Sequence, residues 1–168
     1  MPENLSKLAD ALLEKAKQAD MTVIVAESCT AGMLSQFLAD AGGAAEYFHG
    51  GFITYTKEQK TRALGVSASL LRERGAVCGE VARQMAEGAL ARSEGDISAA
   101  ITGVAGPERD EDDNPVGRVC IAVAVRGQPA RCLERNYENA GRDGIRERAV
   151  ADALNAMTEA LASVSAAA

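Results

Sequence analysis

Leu5, Leu8, Ala9, Leu12, Leu13 and Ala16 recur at the spacing of one helical face, so the chain opens with an amphipathic helix. The pattern then changes. "TVIVA" (22–26) is a short β-branched run that reads as a buried strand, and Met33, Leu34, Phe37 and Leu38 within 30–42 return to helical spacing. A polar turn separates the two. The connection "GGAAEYFHGG" leads to "FITYT" (52–56), which alternates and reads as a second strand, followed by a short helical stretch around "KEQKTRALG". Ser67 and Cys78–Gly79 open two further helices, the second carrying Val81, Met85, Ala89 and Leu90 on one face and ending near Gly95. "ISAAITG" (97–103) is a third strand. "VCIAVAV" (119–125) and "ARCLERNYE" (130–138), joined through "RGQP", form a hairpin, and a long helix over about 143–163 closes the pattern.

Helices between the early strands imply parallel crossovers, and the late hairpin implies an antiparallel pair. The expected fold is therefore α/β: a three-layer α/β/α sandwich around a mixed, mostly parallel sheet of about five strands. No internal repeat or linker interrupts it. One domain over 1–168 is expected, and 168 residues with 47% hydrophobic content suffice for a core without staples.

Charge narrows the possible partners. A net charge of −6 argues against a nucleic-acid or anionic-membrane surface, and the acidic residues are dispersed apart from "ERDEDD" at 108–113. Trp is absent and aromatics are few, which removes base-stacking platforms. Cys29, Cys78, Cys120 and Cys132 form no CxxC pair, and no leader pattern precedes the first helix, so reduced thiols and a cytoplasmic location are expected. No apolar run approaches the roughly 20 residues that span a bilayer. No metal site is expected either, because one histidine and scattered cysteines give no ligand set.

In an open α/β sheet, ligands gather beyond the carboxyl ends of the strands, where loops meet helix N-termini. Two loops have that placement: "ESCTAG" (27–32) and "TGVAGP" (102–107). In the first, Ser28 or Thr30 reads as a helix cap with Glu27 complementing the dipole, or else as a nucleophile beside main-chain oxyanion donors. In the second, glycines admit close backbone approach and Thr102 adds a hydroxyl; a plain tight turn is the other reading. His49 is the sole histidine and lies in a Gly-rich turn. Lys57 and Lys60 follow the second strand, and either serves as a base only if burial or a neighbouring cation lowers its pKa from about 10.4. Arg142 and Arg146, one turn apart near the start of the last helix, oppose its dipole, which points to an anion partner or to surface ion pairs with Asp143 or Glu147.

Taken together, "AESCTAG" (26–32), "GGFITYTKEQK" (50–60), "GAV" (75–77), "TGVAGP" (102–107) and "NPVGRV" (114–119), in this order, resemble the CinA C-terminal domain family, known also as the nicotinamide mononucleotide deamidases, PncC. The resemblance covers about residues 5 to 162. It looks like the stand-alone form, without the N-terminal domain of longer CinA proteins. The resemblance implies the same sandwich fold, no cofactor, and hydrolysis of the carboxamide of nicotinamide mononucleotide by a Ser/Lys dyad in pyridine nucleotide salvage. Carried onto this chain, it implies Ser28 as nucleophile, Lys60 as base and Tyr55 as an orienting group, with main-chain N–H groups at the start of the 30–42 helix holding the oxyanion. Glu27, Cys29 and Thr30 are expected to bind the substrate beside the nucleophile, Thr102, Gly103 and Gly106 to line the nucleotide pocket, and Arg142 to take the phosphate. A homo-oligomer acting on a small nucleotide is the expectation for partners.

The chain departs from the family pattern at Ala31, where a glycine is usual, at Lys57, where asparagine is common, at Cys78 and Gly79, where serine and glutamate are usual, and in the acidic 108–113 run. Two rivals follow: a Cys29 nucleophile with His49 as base, and a non-enzymatic nucleotide-binding or interaction module linked to competence or DNA-damage response.

Overall fold

A computed structural model describes residues 2–167. The elements run α1 (Pro2–Ala19), β1 (Val23–Glu27), α2 (Met33–Asp40), α3 (Ala44–Tyr47), β2 (Phe48–Ile53), α4 (Lys57–Leu64), α5 (Ala68–Arg74), α6 (Gly79–Ala91), β3 (Ile97–Gly103), β4 (Arg118–Val125), β5 (Arg131–Asn136) and α7 (Gly141–Ala167). The strands form a single five-stranded sheet in the order β2-β1-β3-β4-β5. The three-layer mixed sandwich is as expected. Its pairings divide evenly, because β1 is parallel to β2 and β3 while β3–β4 and β4–β5 are antiparallel.

Alternate strand residues feed opposite layers. Val23 and Val25 of β1, Ile97, Ala99 and Ile101 of β3 and Ile121 of β4 pack with Leu5, Leu12, Leu34, Leu154 and Met157 from α1, α2 and α7. Ile24, Ala26, Ala100, Cys120 and Ala122 face Leu64, Val81, Met85 and Ala89 from α4 and α6. All five β1 residues are buried, as a strand covered on both faces must be, so the run reads as continuously apolar rather than alternating. Cys78 heads α6 and is buried in the second of these layers.

The second strand differs most from expectation. It covers Phe48–Ile53 rather than 52–56, and parallel pairing fixes the shift, since Ile53 meets Glu27 at the end of β1. The chain then leaves the sheet. The Thr54 N–H still bonds the Glu27 carbonyl at 2.8 Å, after which 54–56 turn into α4. Thr56 caps that helix through Gln59 N–H, and Gly65 at φ 72° ends it. The connection before β2 also contains the short helix α3. The helix expected over 30–42 spans only Met33–Asp40, because Ala31 (φ 49°) and Gly32 (φ 101°) put a left-handed turn before it.

Candidate active site

Three parallel strands, β2, β1 and β3, end at the same side of the sheet, and a cavity of about 490 Å³ opens beyond them. Ser28 and Cys29 enter it from the turn after β1, Thr102 and Gly103 from the end of β3, and Lys60 from α4. Tyr55 and Lys57 form one rim; Glu108, Glu111 and Asp112 form the other. Both loops picked out in the sequence therefore reach one site.

At its centre the Lys60 Nζ donates to Ser28 Oγ at 2.8 Å and to the Thr54 carbonyl at 2.7 Å. Lys60 is 1% exposed, Ser28 7%. Among the described residues no carboxylate forms an ion pair with Lys60. Burial therefore acts on an uncompensated ammonium and lowers its pKa from 10.5 to about 8, with a smaller upward push from the Cys29 side chain and a downward one from Lys57. About a tenth of the amine is then neutral at pH 7, rising to about half near pH 8, and a neutral amine beside a hydroxyl can accept its proton.

Glu27 and Thr30 stand behind the cavity rather than in it. Glu27 is fully buried, and its carboxylate accepts from the Thr30 hydroxyl (2.6 Å), from the N–H groups of Gly32, Leu34 and Ser35 (3.0, 3.1 and 2.8 Å) and from the Ser35 hydroxyl (2.7 Å). The cap of α2 is thus a glutamate reaching from the preceding strand, not the side chain of Ser28 or Thr30. This also removes the oxyanion donors expected at the helix start, since the Met33 N–H is held by the Thr30 carbonyl. Cys29, Ala105 and Gly106 line the cavity, and no main-chain carbonyl among the described residues accepts from their N–H groups.

The other candidates fall as follows. Tyr55 is 59% exposed on the rim and makes no bond to Lys60; the Thr54 carbonyl does the orienting. Thr102 Oγ1 donates to the Ala76 carbonyl at 2.8 Å, tying β3 to the turn before α6. At Gly103 a Cβ would lie 2.9 Å from the Arg118 carbonyl, so the glycine is what lets β4 approach. Arg142 lines the cavity with its guanidinium on the Gly106 carbonyl, so it is anchored beside the second loop. Arg146 donates to the Thr30 carbonyl at 2.8 Å instead of pairing at the surface. His49 sits exposed on edge strand β2 and does not line the cavity. Burial pushes the Cys29 thiol up to about 11, partly offset by Lys60, which keeps it protonated.

Sequence patterns gave no sign of Thr54 as the lysine's acceptor or of the Arg146–Thr30 bond, because both depend on long-range approach. The cap is legible in part, since Glu27 reads as standing beside the helix start, but as a complement to the dipole with Ser28 or Thr30 as the capping side chain, and the pattern does not single out Ser35.

A buried serine–lysine pair at the strand ends of a mixed sheet defines the class: an α/β/α sandwich whose cavity sets a hydroxyl against a buried amine. The family can be named directly. The model of the CinA C-terminal domain matches residues 5–161, and the chain belongs to that family. A putative competence-damage inducible protein of Symbiobacterium thermophilum is 45% identical over 141 residues, covering 80% of this chain and 33% of that protein. A CinA-like protein of Geobacter sulfurreducens is 43% identical over 140 residues, 83% of this chain and 33% of its own length. The chain thus spans about a third of the length of these relatives. Among solved structures, the competence/damage inducible protein CihA of Agrobacterium tumefaciens superposes with a TM-score of 0.88 at 36% identity over 94% of both chains. A CinA superfamily protein of Klebsiella pneumoniae gives 0.89 at 30% identity over 94% of this chain and 98% of its own.

Proposed function

We propose that this chain is an amidohydrolase that cleaves the carboxamide of nicotinamide mononucleotide, giving nicotinate mononucleotide and ammonia. One observation carries the reading: a buried lysine without an acidic partner, held down to about 8, lies 2.8 Å from a serine hydroxyl in a cavity. A lysine kept for stability alone would have a carboxylate partner or reach solvent.

In this mechanism neutral Lys60 takes the Ser28 proton as Oγ attacks the amide carbon. The tetrahedral oxyanion is held by N–H groups of Cys29 and of Ala105 or Gly106. Lys60 returns the proton to the departing nitrogen, so ammonia leaves and a seryl ester remains. Water, deprotonated by the same amine, attacks the ester and releases the carboxylate while Ser28 regains its proton. Arg142, anchored beside the second loop, is placed to meet the phosphate. The mononucleotide is the substrate that the motif resemblance implies, and the buried, protonated Cys29 and the distant His49 disfavour a thiol mechanism.

Ammonia release from the mononucleotide by the wild type, Ser28→Ala and Lys60→Ala tests it. Activity in the wild type that falls by at least 10³-fold in both variants is expected. Silence in all three, with tight binding by calorimetry, would instead favour a nucleotide-binding module.

A further inference from the structure

Lys57 and Lys60 lie one turn apart on the same face of α4, the first at the helix N-terminus and on the cavity rim, the second inside it. Across the rim Lys57 Nζ meets Glu111 at 2.8 Å and Asp112 at 2.9 Å. These are not two flexible surface side chains. The side chains of Lys57 and Asp112 are 30% and 28% exposed, and Asp112 also accepts the Ala76 N–H at 3.3 Å. Its own N–H bonds Asp110, which in turn holds Asn114 through both carboxylate oxygens. The acidic run is therefore a folded segment, and it delivers two carboxylates to one lysine. At Gly75, packed under Asp112, a Cβ would come within 2.6 Å of Asp112 Oδ2, so the segment seats closely on that turn.

We propose that Lys57 is a positioning residue for the hydrolysis, a rim cation held by Glu111 and Asp112 one helical turn from Lys60, and that this ion-pair cluster tunes how readily Lys60 sheds its proton. The inference rests on the amidase reading for its chemical consequence. The physical step is simple. A bare cation one helical turn from Lys60 disfavours a second positive charge, and each carboxylate that neutralises it withdraws part of that effect. The other groups facing Lys60 are Ser28 and Cys29 from the turn after β1, Tyr55 from the rim, Arg142 from α7, and Glu108 and Asp110 from the acidic segment. Arg62 shares the helix too but pairs with Glu58 at the exposed surface; of the cavity-lining cations Lys57 and Arg142, it is Lys57 that lowers the Lys60 pKa.

The test reads Lys60 without turnover. Lysine carrying ¹³C at Cε and ¹⁵N at Nζ is incorporated, the Lys60 signal is assigned by its loss in Lys60→Met, and its titration is followed by NMR. Relative to the wild type, Lys57→Met is expected to raise the midpoint by about half a pH unit. Asp112→Asn and Glu111→Gln should each lower it by a similar or smaller amount, the scale of one charge a helical turn away in partly solvated space. Asp112→Asn keeps an oxygen for the Ala76 N–H, and Glu111→Gln guards against local misfolding. The acidic limb of kcat/KM for the mononucleotide should move in the same order. Shifts of one sign in all three variants, or none, would overturn the proposal. Should the protein prove inactive on the mononucleotide, the NMR result still stands for or against the rim, so the two failures are distinguishable.

Discussion

At the scale of single residues, the turn that presents Ser28 is held from behind. Five hydrogen-bond donors converge on the Glu27 carboxylate, and such charge-assisted bonds are stronger than neutral ones. The same turn contains one residue in the wrong backbone region for its type. Ala31 sits at φ 49°, exposed, where an L-residue with a Cβ costs about 1–2 kcal/mol. A glycine relieves that strain but adds freedom to the unfolded chain worth about 0.4–1 kcal/mol. The net expectation for Ala31→Gly is a gain of about 0.5–1 kcal/mol in the urea-unfolding free energy with an unchanged slope. A loss of stability would mean that the turn tolerates alanine without strain. The departure from glycine at this position was visible in the sequence; its cost was not, since that depends on a dihedral angle.

At the scale of elements, β1, β3, β4 and the first helix were legible because each is a run whose periodicity has one reading. Strand β2 was not. "FITYT" has the better β pattern, yet pairing with β1 draws Phe48–Ile53 into the sheet and leaves 54–56 to turn, so tertiary register overrode local propensity. That override builds the site, because it aims the Thr54 carbonyl at Lys60. Ser28 and Lys60 are 32 residues apart, and only the resemblance to a known family joined them before the fold did. Helix α4 carries the consequence, with an ammonium buried inside the protein. Lys60 loses its proton at about 8 when folded and at 10.5 in the reference state, so between those values the unfolded chain binds more protons and stability rises with pH. Below about 8 the folded state bears the whole penalty, roughly 3 kcal/mol. Lys60→Met removes it but leaves the Thr54 carbonyl without its donor, a loss of about 1–2 kcal/mol. The variant should therefore be inactive yet more stable than the wild type by about 1–2 kcal/mol at pH 7, with the advantage gone by about pH 10.5. Urea unfolding at both pH values reads this, and a difference independent of pH would show that Lys60 is not held below its ordinary pKa.

At the scale of the whole molecule, the two faces of the sandwich divide the work. The α4–α6 face supplies Lys60 and one rim of the cavity, and the α1–α2–α7 face supports the turn that carries Ser28. No helix among the described residues is long and apolar enough to cross a membrane, and the length of α7 serves a different end. It packs along α1 and the sheet, and its N-terminal turns reach both active-site loops, Arg142 at the Gly106 carbonyl and Arg146 at the Thr30 carbonyl. A pair of arginines that sequence alone allows as surface ion pairs is thus a brace from the last helix to the loops after β1 and β3. The brace should matter more to catalysis than to folding, because the core beneath α7 is formed by Ile145, Ala149, Leu154 and Met157 irrespective of the guanidinium. Arg146→Met keeps the apolar stem and removes the bond to Thr30, freeing the turn that sets Ser28 against Lys60. Misplacement of a reacting group by a fraction of an ångström to 1 Å costs up to about 10²-fold in rate. Arg146→Met is therefore expected to lower kcat by about ten-fold or more with KM nearly unchanged. The urea midpoint should move little, while amide exchange at Ala31–Met33 quickens. A variant whose exchange at 31–33 matches the wild type while kcat falls would place Arg146 in contact with the substrate instead, and one with both unchanged would remove α7 from the catalytic apparatus altogether.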